Sequence, residues 1–264
     1  MSVIGAILGD IAGQPFEFNH KPVDYEHVEL FTARDHFTDD TVLTMATLHA
    51  LKDKTSFQDA YYSYGRAYYD RGYGNMFKEW LNSDDLAPYN SFGNGSAMRV
   101  SPVIDFADSK EDVIKLAAQS AVVTHNHPEG IKGAVVTAVC GWMARNGASK
   151  NEILEYGTKQ YPPEDYQYSC SQPLDVIREK YRWNATCQDC VPVAIRCFYE
   201  SESFEDCLRK TISMLGDTDT LGAIGGCFAG EYYKLYLDGA LPILRRYLDV
   251  TMLDDLQALE DMKK

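Results

Sequence analysis

The chain has 264 residues, 45% of them apolar and 24% charged, and its formal net charge is −14. That length can bury a substantial core, and the composition predicts a soluble globular protein. The acid excess speaks against a general nucleic-acid surface, which needs clustered Lys and Arg, and is compatible with acid-rich metal sites.

From the N-terminus, "MSVIGAILGDIAG" is apolar but lacks a basic leading segment, and Asp10 interrupts it early, so it is not expected to be a signal peptide. No run approaches membrane-spanning length. Pro22 punctuates the chain, and "PVDYEHVEL" is the nearest approach to strand alternation, though ambiguous. In "FTARDHFTDDTVLTMATLHA", Thr38, Asp39, Asp40 and Thr41 stand directly ahead of a helix-forming stretch. The tyrosines of "YYSYGRAYYDRGYG" are expected to pack in the core, and "LNSDDLAPYNSFGNGS" reads as a loop.

After the break at "THNHPEG", Ile131, Ala134, Val135, Ala138, Val139 and Trp142 mark one face of a helix. A further break falls at "YPPEDYQYSCSQP". The helical spacing returns at Val191, Ala194, Ile195 and Phe198, at Phe204, Cys207, Leu208 and Leu215, and at Leu221, Ile224, Phe228, Tyr232 and Leu235. None of the breaks is long or biased enough to link independent domains. The expectation is an all-α fold, a single domain over residues 1–264. Seven cysteines, an odd number, predict reduced thiols and a cytoplasmic setting.

Two short elements echo each other, "TDDTVL" near one end and "DTDTLG" near the other. Thr, Asp and carboxylates are good helix caps, so either cluster alone needs no function. Two clusters with two acids each exceed what capping requires, and adjacent carboxylates repel unless a cation lies between them. If the two helix starts converge, four carboxylates and two threonine hydroxyls offer an oxygen-only donor set, which suits magnesium, manganese or calcium and not zinc. A pair of such ions can activate a water and bind substrate oxygens.

The ordered set "GAILGDIAGQPFEF", "FTDDTVLTMA", "GNGSAMRVSP", "THNHPEGIKGA", "CQDCVPVAI" and "GDTDTLGAIGG" resembles the ADP-ribosylglycohydrolase family over residues 5 to 230 or so. The resemblance implies an orthogonal multi-helix bundle with a cleft holding two Mg²⁺ ions, or Mn²⁺. It carries the metal ligands onto Thr38, Asp39, Asp40, Asp217, Asp219 and Thr220, and the substrate-gating glutamate onto Glu17. It places Ser91, Phe92, Gly93, Asn94, Gly95 and Ser96 along an ADP-ribose cleft, with Phe92 beside the ligand and His125 at the diphosphate. Small residues at 91–96 are expected to bare backbone amides to a pyrophosphate. Asp10 reads as structural support, Met98 as packing beneath the loop, and His127 as structural. Cys187 and Cys190 stand where relatives often have Ser and Thr; their C-x-x-C spacing lacks the second pair of a zinc site.

The implied reaction is hydrolysis of the bond from ribose C1″ to a protein side chain, arginine favoured over serine or a small ADP-ribosyl metabolite. Asp39 or Asp217 is then the base that steers the water, through an oxocarbenium-like transition state. The implied partner is an ADP-ribosylated protein or small molecule, with no membrane and no general nucleic acid. A non-enzymatic crystallin-like role is the rival, and retention of all six ligand types and Glu17 weighs against it. "DDTVL" lacks the final acid of a D-D-x-x-D diphosphate site, which sets aside an isoprenoid synthase.

Overall fold

The computed structural model describes residues 1–19, 21 and 23–263; the expected break at Pro22 lies outside the described residues. Among the described residues there are fifteen α-helices and no strand, only an isolated bridge between Gly93 and Thr186. In chain order the first group is α1 (Ser2–Gly13), α2 (Asp39–Asp53), α3 (Phe57–Ala67), α4 (Asn75–Leu81), α5 (Gly95–Met98) and α6 (Val103–Phe106). Then come α7 (Lys110–Val122), α8 (Pro128–Arg145), α9 (Lys150–Gln160), α10 (Leu174–Lys180) and α11 (Cys187–Glu200). The last are α12 (Phe204–Ile212), α13 (Thr218–Tyr232), α14 (Leu237–Leu244) and α15 (Val250–Met262). Of the ambiguous stretch at 22–30, the described residues 23–30 hold a turn at 25–27 and no strand.

The centre is the antiparallel pair α1 and α13. Every residue of α1 is buried, which is why its apolar run shows no polar face. Gly5, Gly9 and Gly13 on α1 face Gly226, Gly222 and Thr218 on α13, backbone against backbone. A Cβ on Gly9 would lie 1.9 Å from the Gly222 carbonyl oxygen, so nothing larger than hydrogen fits. Thr218 Oγ1 donates to the Gly13 carbonyl at 2.8 Å and ties the end of α1 to the start of α13.

The face expected on α8 packs with α7: Ala134, Ala138 and Val139 join Val113, Ala117 and Ala121 in a small apolar cluster. The opposite face, with Val136, Cys140 and Ala144, enters the main core. That core runs from α1 to α15 and includes Tyr61 and Tyr73. Two helix ends fall short of the periodicity: α12 stops at Ile212 because Leu215 turns left-handed (φ 54°), and α13 stops at Tyr232, before Leu235. All seven cysteines are free and buried. No helix of the described residues is long and apolar enough to cross a membrane.

Candidate active site

Because α1 and α13 run antiparallel at close contact, the end of α1 is delivered to the start of α13, and the start of α2 docks on both. Thr38 is the N-cap of α2, its Oγ1 accepting from the Asp40 amide at 3.3 Å. Asp217 is the N-cap residue of α13. The Thr220 hydroxyl donates to Asp40 Oδ2 at 3.4 Å across 180 positions of chain, so the two acid-Thr elements do meet. Glu17, just past the short 3₁₀ turn Gln14–Phe16, joins them: its carboxylate and those of Asp217 and Asp219 each offer an oxygen within 4.8 Å of the others. The expected ligands Thr38, Asp39, Asp40, Asp217, Asp219 and Thr220, with Glu17, all line one cleft of about 370 Å³.

Asp10 lies beneath this floor, fully buried. It accepts from the Thr38 amide (3.0 Å) and hydroxyl (2.8 Å) and from the Thr41 amide (3.0 Å) and hydroxyl (2.5 Å). It therefore caps α2 from another helix, the structural support expected of it.

Among the described residues, no Lys, Arg or His nitrogen forms an ion pair with Asp10, Glu17, Asp39, Asp40, Asp217 or Asp219. Burial pushes Asp39, Asp40 and Asp219 well above the usual carboxylate range; Asp10 adds to this for the first two and Asp217 for the third. Glu17 is pushed up to about 7 by burial, then by Asp217 and Asp10. The positive ends of α2 and α13 offset only part of this repulsion. Asp40 Oδ1 is buried with no hydrogen-bond partner. An orphaned carboxylate oxygen among unneutralised acids and hydroxyls fits a hard divalent cation.

Of the residues expected along the ligand, Ser91, Gly93, Asn94, Gly95 and His125 line the cleft, and Phe92 and Ser96 do not. Phe92 points outward and packs on His127 at 5.2 Å, while buried Ser96 donates to the Gly130 carbonyl at 2.7 Å and pins the loop to α8. The amides of Gly93 and Asn94 are taken by Ser91 Oγ (3.1 Å) and the Ala185 carbonyl (2.8 Å), so these two are not bared to a phosphate. Asn94 instead positions an acid, its Nδ2 donating to Asp217 Oδ2 at 2.7 Å. Met98 reaches the cleft as well as packing beneath the loop. His127 caps α8, accepting from the Glu129 amide at 3.1 Å. Burial pushes the Cys187 thiol up to about 12 and that of Cys190 higher than usual, which leaves both protonated and unreactive.

Tyr89, Arg99 and Trp183 also line the cleft and were not anticipated. Trp183 stacks on Phe18 at 6.3 Å and hydrogen-bonds the Glu17 carboxylate. These residues come from loops and a short turn, where no periodicity announces a side chain's direction.

A family model described as ADP-ribosylglycohydrolase matches residues 1–261. ADP-ribosylhydrolase ARH3 of Mus musculus is 30% identical over 306 residues, covering 88% of this chain and 82% of that protein. ADP-ribosylarginine hydrolase Tri1 of Pseudomonas putida (strain GB-1) is 24% identical over 88% of this chain and 69% of its own length. The solved structure of an ADP-ribosylglycohydrolase-related protein complex aligns with a TM-score of 0.74 at 23% identity, over 100% of this chain and 96% of the other. At that identity the likeness speaks to the fold.

Proposed function

Because the chain belongs to the ADP-ribosylglycohydrolase family, whose members hydrolyse ADP-ribose conjugates, we propose that it releases ADP-ribose from arginine side chains of modified proteins and depends on two magnesium ions. One observation carries the metal part: two helix starts 180 positions apart bring carboxylates and hydroxyls together around an unpartnered buried oxygen, and no side-chain cation among the described residues pairs with these acids. Thr38, Asp39, Asp40, Asp217, Asp219 and Thr220 would hold the ions. Bound there, they would supply charge neutralisation and Lewis acidity.

The chain's own groups account for the rest. Asp39 or Asp217 would orient the attacking water and take its proton at a carboxylate oxygen. Asn94 holds Asp217 in place for that role. His125, which lines the cleft, would face the diphosphate. Glu17 would guard the entrance: it shares the acid cluster with Asp217 and Asp219, so that metal and substrate occupancy both bear on its position. Arginine as acceptor is supported by the likeness to Tri1, an ADP-ribosylarginine hydrolase. It is also supported by the exposed, stacked Phe18 and Trp183 beside Glu17 at the rim, a setting that suits a guanidinium.

The test is release of ADP-ribose from defined arginine-linked, serine-linked and small-molecule conjugates, with and without magnesium, by the wild type and Asp217→Asn. Fastest turnover of the arginine conjugate, only with magnesium and only by the wild type, supports the reading. Equal turnover with and without metal by both proteins rejects the metal mechanism, and preference for another conjugate rejects arginine.

A further inference from the structure

We propose that Thr124, held by the buried guanidinium of Arg99, fixes His125 as the tautomer that carries its proton on Nε2, and so aims an N–H donor at an anionic oxygen of the ligand. The proposal rests on reading the cleft as an ADP-ribose site; what it adds is the pair of positioning residues behind the histidine. Arg99 is fully buried, with its guanidinium 4.0 Å over the Tyr61 ring. Its Nη2 donates to the Ser120 carbonyl at 3.0 Å and to Thr124 Oγ1 at 2.9 Å. Thr124 Oγ1 lies 2.7 Å from His125 Nδ1.

A guanidinium can only donate, so Arg99 occupies an acceptor position on the threonine oxygen. With Arg99 on that lone pair, the hydroxyl directs its proton to Nδ1, 2.7 Å away, which accepts it. The ring proton then sits on Nε2.

His125 lines the cleft, and its Nε2 edge lies beside the 91–96 loop. A Cβ at Gly95 would lie 3.2 Å from Nε2, tighter than ordinary contact, so the glycine there keeps a side chain from crowding it. Burial and the neighbouring Arg99 both hold the ring below its ordinary basicity, so it keeps one proton and the tautomer is the remaining variable. Arg99 also lines the cleft, and its Nε and Nη1 are buried without partners.

The experiment uses the full chain labelled with ¹⁵N-histidine, with the His125 signals assigned through His125→Asn, and calorimetric titration with ADP-ribose in magnesium buffer. The expected spectrum shows wild-type His125 protonated on Nε2. Thr124→Val, close to isosteric, should move the proton to Nδ1 or mix the two forms and weaken ADP-ribose binding about tenfold, the weight of one hydrogen bond to a charged group. Thr124→Ser should restore both. A wild-type ring protonated on Nδ1 overturns the proposal, as does a Thr124→Val variant with unchanged tautomer and affinity. Should Thr124→Val not fold, the wild-type and Thr124→Ser spectra decide alone. Failure of the wild type to bind ADP-ribose would sink the functional reading and leave the tautomer to be judged from the spectrum.

Discussion

Replacing Gly9 with alanine tests the helix pair that builds the site. The new Cβ would sit 1.9 Å from the Gly222 carbonyl oxygen, 2.2 Å from its carbon and 2.8 Å from the Ala223 nitrogen, all backbone atoms of α13. Ordinary contact begins near 3.4 Å, so α1 and α13 would have to part by about 1.5 Å at this level. Neither helix can turn a side chain aside to relieve the clash, since the obstacle is main chain. Overpacking of a rigid core costs about 1–3 kcal/mol, and here the upper end or beyond is expected. For a chain of this size ~3 kcal/mol corresponds to a drop in Tm of about 6–12 °C. The control is Gly239→Ala in α14, where nothing lies within 4 Å of the new Cβ, and a gain of about 0.5–1 kcal/mol is expected. Urea denaturation of the two variants beside the wild type reads both numbers. A Gly9→Ala protein within about 0.5 kcal/mol of the wild type would refute the backbone-contact argument.

Asp40→Asn removes one of the mutually repelling acids, so the metal-free variant should be at least as stable as the wild type while losing most of its magnesium-induced rise in Tm; a full rise would place the cation elsewhere. Asp10→Ala strips α2 of four hydrogen bonds to a buried carboxylate and should cost about 3 kcal/mol or more in chemical denaturation; a neutral result would remove Asp10 from its capping role. The folded state holds a proton on Glu17 that the unfolded chain has lost above its ordinary value of 4.5, so stability of the metal-free protein should fall as pH rises from 4.5 through about 7. Glu17→Gln should flatten that slope, and Tm values at a series of pH in chelator decide it.

Much of this was legible in the chain, for reasons that differ by element. Two acid-Thr elements at helix starts announce an oxygen-rich site because capping alone does not call for four carboxylates. The apolar spacing of residues 131–142 reads correctly because α8 packs that face against α7. The spacing Gly5, Gly9, Gly13 and its partner Gly222, Gly226, Gly230 was visible too. A search for large apolar residues passes over it, since such contacts are made by what is absent. The trans cap from Asp10, the outward turn of Phe92 and the arrival of Trp183 and Arg99 in the cleft depend on contacts between distant segments. No local period encodes those.

The most direct trial of the two-helix metal site is anomalous scattering from crystals grown with Mn²⁺. Paired peaks roughly 3.5–4 Å apart, within coordination distance of Asp40 and Asp219, are the predicted outcome. Manganese bound at any other place, or none bound at millimolar concentration, would contradict it.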